Sequence, residues 1–271
     1  MLVACVGDVM LDVVVETPHG LVADDDTDAT ITFAPGGQAA NVASWVVALG
    51  GTGRVFGPRS DSGPGRLVTD ALATRGVELH GPAVPRPGAV LSLVGPGQRS
   101  MASDAGDSGW LDEVQPGPWL GSADWLFISG YALLRSASPE RLVALAAAAR
   151  DAGASVAVDL SSATLIEAYD ADAFRTLWES LHPAVVLAND AEWAVAASAS
   201  YDGVLILKHG ADGATFDGEH HAPVPGPVLD VTGAGDALTA GYLVGGPGLA
   251  MEAAARCIAQ IGAQPREPGG L

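Results

Sequence analysis

Positive charge is scarce in this sequence: 13 Lys and Arg stand against 32 Asp and Glu among 271 residues, a formal net charge of −19. A nucleic-acid surface or an anionic membrane face needs clustered cations, so neither is an expected partner. Cysteine is scarcer still. Cys5 and Cys257 lie near opposite ends of the sequence, without CxxC spacing or a Cys/His neighbourhood that would ligate a metal. A chain of this length needs no disulfide staples, so a reducing cytoplasm is the natural setting. The first basic residue is Arg54, which speaks against the positively charged start of a secretory leader. Long apolar runs are missing too. The longest, Leu142 to Ala149, falls far short of the roughly 20 residues that a spanning helix requires.

What the sequence does have is 48% hydrophobic residues, dealt out in short pieces. Apolar runs at 2–7, 125–129, 155–159, 185–189 and 204–208 suit strands buried on both faces. Ala-rich helical stretches lie between them at 40–49, 65–74, 139–152, 171–181 and 234–243. That alternation predicts a mostly parallel sheet covered by helices on both sides. Two stretches break the pattern. Residues 12–34 carry Val13-Val14-Val15, an acidic loop from Asp24 to Asp28, and Ile31-Thr32-Phe33; residues 88–103 read as two strands around Gly95-Pro96-Gly97. Both are hairpin material, expected to pair into a small β lid on one domain spanning residues 1–271.

Two glycine-rich segments carry most of the chemistry. In Asp230-Val231-Thr232-Gly233-Ala234-Gly235-Asp236, two glycines flank an alanine at the start of a helix. Uncovered backbone N–H groups and the helix dipole there favour a phosphate, and the Asp236 carboxylate can accept a proton from an attacking hydroxyl. The plainer reading is a capped helix after a Gly-rich turn, and the segment alone does not decide between them. Gly36-Gly37-Gln38-Ala39-Ala40-Asn41 also precedes a helix. It offers close backbone approach and an amide for a polyol, or else an ordinary tight turn.

The combination is more specific than either part. Gly7-Asp8-Val9-Met10-Leu11-Asp12, then Gly36 to Asn41, Asn189-Asp190-Ala191-Glu192, Lys208-His209-Gly210-Ala211-Asp212-Gly213 and Asp230 to Asp236 follow in this order. The set resembles the ribokinase-like (PfkB) carbohydrate kinase family over nearly the whole chain. The resemblance implies a three-layer α/β/α, Rossmann-like fold with a small β lid, and an enzyme that phosphorylates a hydroxyl of a small sugar with ATP. A nucleoside kinase of the adenosine or pseudouridine type is the nearest alternative, and a non-catalytic sugar-binding relative a more distant one.

By resemblance, Asp236 is the general base and the N–H groups of Gly233, Ala234 and Gly235 hold the transferring phosphoryl group. Asp12, Gly36, Gly37 and Asn41 bind substrate. Lys208, Gly210, Gly213 and Thr232 lie along the nucleotide. Asn189 and Glu192 position Mg2+ through water, although the same pair also reads as a helix N-cap and its capping-box Glu. The resemblance allows a monovalent cation such as K+ and a homodimer paired through the lid. Two departures stand out. Val231 replaces the family's Thr, and only six residues follow Pro265, which abbreviates the helix and loop that in this family shape the adenine pocket and a monovalent-cation site.

Lesser candidates carry plainer alternatives. Arg59, Arg99 and Glu219-His220-His221 read as solvated surface groups, Tyr131 as an aromatic at a strand end in the cleft or a structural one, and Asp159 as a strand-end cap or a helper to magnesium.

Overall fold

The computed structural model describes residues 1–95, 98–199 and 201–266. The chain opens with β1 (Leu2–Val6), β2 (Met10–Glu16), β3 (Thr30–Gly36), α1 (Gln38–Ala48), β4 (Thr52–Phe56), α2 (Gly63–Thr74) and β5 (Glu78–His80). Next come β6 (Gly88–Gly95), β7 (Gln98–Asp104), β8 (Trp125–Ser129), α3 (Gly130–Arg135), α4 (Glu140–Asp151), β9 (Ser155–Asp159), α5 (Ala163–Tyr169) and α6 (Ala171–Ser180). The last elements are β10 (Val185–Asn189), α7 (Asp190–Ala196), β11 (Val204–Lys208), β12 (Ala214–Phe216), β13 (Glu219–His221) and α8 (Ala234–Ile258).

Among the described residues, nine strands form one sheet in the order β13-β12-β11-β10-β9-β8-β1-β4-β5. It is parallel from β11 to β5, and only β12 and β13 add antiparallel at one edge. Alternate side chains of β1 explain the three layers. Val3 and Cys5 join a buried cluster with α1, α2 and α8, while Ala4 and Val6 join another with α3 to α7. Apolar burial on both faces is why the strands read as unbroken runs instead of alternating ones.

The lid expected from residues 12–34 and 88–103 is a second sheet, ordered β3-β2-β6-β7. Asp12 stands opposite Ala34 and Val90, and the neighbouring Val13 opposite Phe33 and Leu91. Directly opposed residues share a face, so Phe33 and Leu91 lie on the face away from Asp12. The acidic residues Asp24 to Asp28 are solvent-exposed as expected. Pro96 and Gly97 of the expected turn, and the side chain of Arg99, lie outside the described residues.

Helix starts follow local chemistry. Ser62 caps α2 by accepting from Gly65 N, and Asp170 caps α6 by accepting from Asp172 N and Ala173 N at 3.0 and 3.1 Å. α8 loses helical geometry at Gly245 and Gly246, just before Pro247. Its first segment therefore covers the expected 234–243 helix. No helix among the described residues is long and apolar enough to cross a membrane.

Candidate active site

The parallel strands all end on one side, and the residues just past their ends face a cleft of about 610 Å³ beneath the lid. Ligands of open α/β sheets bind outside the carboxyl ends of the strands. Of the residues expected from sequence, Asp12, Gly37, Asn41, Glu192, Lys208, Thr232, Gly233 and Asp236 line this cleft. Gly36, Asn189, Gly210, Gly213, Ala234 and Gly235 are not among its lining residues. Gly36 packs directly under Asp12, where a Cβ would meet the carboxylate at 2.0 Å. Gly210 and Gly213 bracket a short 3-10 turn after β11, and neither lines the cleft.

Two glycines set the two helix starts. Gly37 has φ +91° and sits against the Asp8 carbonyl, so α1 begins close under the β1–β2 connection. Gly233 has φ +74°, and a Cβ there would meet Ala263 at 2.5 Å. Left-handed backbone without a side chain is what glycine supplies cheaply. The turn before it is tied by Asp230, whose Oδ1 accepts from Thr232 N at 2.9 Å and whose Oδ2 accepts from Gly262 N at 2.9 Å. The Thr232 hydroxyl also donates to Asp230 Oδ1. Thr232 thus organises the turn with its side chain and also lines the cleft.

Asp236 lies in the first turn of α8, and its Oδ2 accepts from Asn41 Nδ2 at 2.8 Å. Burial pushes its carboxyl up to about 7; the Asn41 hydrogen bond and Lys208 pull it down, while Asp159 and Asp12 add to the rise. A carboxylate titrating near neutrality suits a general base.

Lys208, the only lysine in the sequence, donates to Asp159 Oδ2 at 2.6 Å. Asp159 is 1% exposed, and its Oδ1 accepts from Ser161 N at 3.0 Å. Desolvation works against the Lys208 ammonium, but Asp159, Glu192 and Asp236 outweigh it and hold its pKa above the ordinary lysine value. The ammonium reaches the glycine turn, since a Cβ on Gly235 would lie 3.5 Å from Nζ.

Asn189 and Glu192 form a complete capping box at the start of α7. Asn189 Oδ1 accepts from Glu192 N, and Glu192 Oε2 accepts from Asn189 N, each at 2.8 Å. Asn189 Nδ2 also donates to Glu192 Oε1 at 2.8 Å. Burial above all, and Asp159 in addition, raise the Glu192 carboxyl, against the pull of Lys208. Among the described residues no three His, Cys, Asp or Glu side chains form a metal cage.

Comparison with known proteins decides among the chemistries this cleft allows. The model of the pfkB family of carbohydrate kinases matches residues 1–257. This chain belongs to that family. The kinase is therefore a phosphotransferase that acts on a sugar hydroxyl. A fructokinase from Escherichia coli is 29% identical over 256 residues, covering 81% of this chain and 79% of its own. An adenosine kinase from Sinorhizobium meliloti has a TM-score of 0.80 at 22% identity, over 97% of this chain and 95% of the other. An uncharacterized sugar kinase from Pyrococcus horikoshii, crystallised with ATP, has a TM-score of 0.79 at 20% identity, over 97% and 95% of the two chains. The two solved structures share the three-layer fold of the kinase.

Sequence reasoning missed part of the cleft. Asp8 is 7% exposed and paired with Arg135 at 2.5 Å; burial raises its carboxyl, and Arg135 opposes the rise. Gly7-Asp8 stood in a recognisable motif, but its partner comes from α3, a six-residue helix with no periodic signal. Tyr131 belongs to that helix and not to a strand end, and the Arg135 guanidinium lies 4.9 Å from its ring centroid. One face of the ring is thereby occupied. Gln38 accepts at Oε1 from both Ser129 and Ser161, which ties α1 to the ends of β8 and β9. Arg59 donates to the Gly81 carbonyl at 2.7 Å, so it pins a turn and does not enter the cleft.

Proposed function

We propose that this kinase transfers the γ-phosphoryl group of ATP to a hydroxyl of a small free sugar, with Asp236 as the general base. The observation that carries the reading is the position of Asp236, which is half-buried, near-neutral in titration and one residue beyond a glycine turn open to the cleft. Asp236 takes the hydroxyl proton as the oxygen closes on phosphorus and the bond to ADP breaks. The N–H groups of Gly233, Ala234 and Gly235 and the Lys208 ammonium receive the phosphoryl oxygens, because the N-terminal end of a helix favours an anion.

The cleft holds five carboxylates, Asp8, Asp12, Asp159, Glu192 and Asp236, against the two cations Arg135 and Lys208. A triphosphate entering it needs added positive charge. All-oxygen donors without a cage suit Mg2+, which keeps much of its water, with Glu192 and Asn189 behind that water. When bound, the ion offsets charge on the phosphates. Glu192→Gln is expected to move the magnesium dependence of the rate to higher concentration with sugar KM little changed. An unmoved magnesium titration, with only a lower melting temperature, would leave Glu192 as a helix cap and nothing more.

The free sugar is favoured over a nucleoside by the lining. Met10, Val90 and Met101 come from the lid, and Tyr131 is the aromatic residue among the described cleft residues, with Arg135 against its face. A base gains from stacking on an aromatic ring, and Phe33 lies on the far face of the lid. The E. coli fructokinase likeness agrees with a sugar. Asp12→Ala is expected to raise the sugar KM at least tenfold and to leave the KM for ATP within a few-fold, since truncation removes one hydroxyl partner. Equal weakening of both would move Asp12 out of the sugar site.

The test of the reading is a panel of pentoses, hexoses and nucleosides with Mg-ATP, followed by mass spectrometry of phosphorylated products. Product from a free sugar is expected. Product from nucleosides alone would shift the reading to the nucleoside kinases of the same fold, and no product from any would set it aside.

A further inference from the structure

We propose that Gln264 is a positioning residue for the catalytic base, acting through the Asn41 amide to fix how Asp236 is hydrogen-bonded. The proposal rests on the reading of Asp236 as the base and adds a residue from outside the glycine motifs. Gln264 lies in the segment after α8 and is 7% exposed. Its Nε2 donates to Asn41 Oδ1 at 2.6 Å, and Asn41 Nδ2 donates to Asp236 Oδ2 at 2.8 Å. Three elements distant in sequence thus meet in one short chain of hydrogen bonds.

The direction of that chain is dictated from one end. An ionised carboxylate only accepts, so Asn41 must turn its NH2 towards Asp236. Its oxygen then faces Gln264, and only an amide N–H there can satisfy it. Rotating the Asn41 amide by half a turn would set oxygen against carboxylate and NH2 against NH2, losing both bonds. Gln264 pays for this orientation: its Oε1 is buried without a partner among the described residues. An unpaired buried oxygen is costly, and such a group is kept where the other end of the side chain is needed.

The backbone around Gln264 does not depend on its amide. Trp45 Nε1 donates to the Ala263 carbonyl at 2.9 Å, Gly262 N to Asp230 Oδ2 at 2.9 Å, and Gln260 Nε2 to the Gln264 carbonyl. Removing the amide therefore removes orientation and leaves the loop anchored. The other groups that face Asp236 electrostatically stay in place: Asp159 on β9, Lys208 on β11, Asp12 on β2, Tyr131 on α3 and Cys257 on α8 itself. The Asn41 hydrogen bond holds the Asp236 carboxyl down more than Lys208 does, so freeing Asn41 lets the carboxyl rise further.

The experiment uses Gln264→Met, of similar length and without a donor, with Gln264→Leu as a second variant should the first not fold. Asp236 is titrated by carboxyl-carbon NMR in the ligand-free protein, its resonance assigned by loss in Asp236→Asn. In parallel, kcat/KM for the sugar is followed against pH. The expected result is an upward move of the Asp236 titration and of the acid limb of kcat/KM, about a tenfold loss of rate at neutral pH, partial recovery at higher pH, and an unchanged KM for ATP. Gln260→Met, which loosens the same loop without touching the relay, is expected to move neither titration nor limb. An Asp236 titration that stays put in the folded Gln264 variant, or moves equally in Gln260→Met, would overturn the proposal. If the titration moves but the parent phosphorylates no sugar, the base assignment falls and the hydrogen-bonded relay stands.

Discussion

Replacing Asp236 with Asn is expected to lower kcat by about 10² to 10⁴, the range for a positioned general base, while stability above neutral pH rises. The two effects share one cause. The folded carboxyl is pushed up to about 7 from an ordinary value of 3.8, so between these values the folded protein holds a proton that the unfolded chain has released. Stability from this group is present below its unfolded pKa and is lost as pH rises through about 7. Asparagine keeps the shape and an acceptor for Asn41, and it carries no charge to bury. An aspartate that served only the helix dipole would behave in the opposite way, with nearly normal turnover and up to about 1 kcal/mol of stability lost. Thermal melting and kcat measured on this variant at about pH 8 separate the two roles.

Lys208→Met is expected to give the largest loss of stability in the cleft. It strands Asp159, 1% exposed, without its cation. Removing one partner of a buried pair typically costs about 3 to 5 kcal/mol. The Lys208 side chain keeps 17% exposure, so the lower part of that range applies, a fall in Tm of roughly 6 to 12 °C for a chain of this size. The KM for ATP should rise as well, because the ammonium reaches the glycine turn proposed to hold the phosphoryl group. The double variant Lys208→Met with Asp159→Asn tells packing from binding. It is expected to recover most of the melting temperature and none of the ATP affinity. Recovery of both would make Lys208 purely structural.

The sheet was legible in the sequence where burial was two-sided. β1, β8, β9 and β10 read as apolar runs because each lies inside the parallel sheet, whereas β11 reads the same way although it is only half-buried where the antiparallel β12 joins it. β4 did not, because Thr52-Gly53-Arg54 interrupts it: a Cβ at Gly53 would meet the Ala43 carbonyl at 2.4 Å, and Arg54 pairs with Glu78. The short helices α3, α5 and α7 span under two turns each, too little for a periodic pattern to emerge. Helix α7 was nevertheless marked at its start, since Asn189 and Glu192 carry the capping-box spacing.

In the cleft, the residues visible in advance were those in contiguous motifs: Gly7 to Asp12, Gly36 to Asn41, Asn189 to Glu192, Lys208 to Gly213 and Asp230 to Asp236. The pairs that complete it span long separations: Asp8 with Arg135, Lys208 with Asp159, and Gln264 with Asn41. Nothing local in the sequence encodes such a pairing, because it arises only when the parallel strands bring their ends to one side.

The most direct measurement is the pH dependence of kcat/KM for the acceptor sugar, from about pH 5 to about pH 9, in the parent and in Asp236→Asn. The expected profile in the parent rises with pH through about 7 and levels above it, and the variant lacks that limb at its much lower rate. A parent profile that is flat across this range, or a limb that survives unchanged in Asp236→Asn, would contradict the assignment of Asp236 as the group that takes the sugar proton.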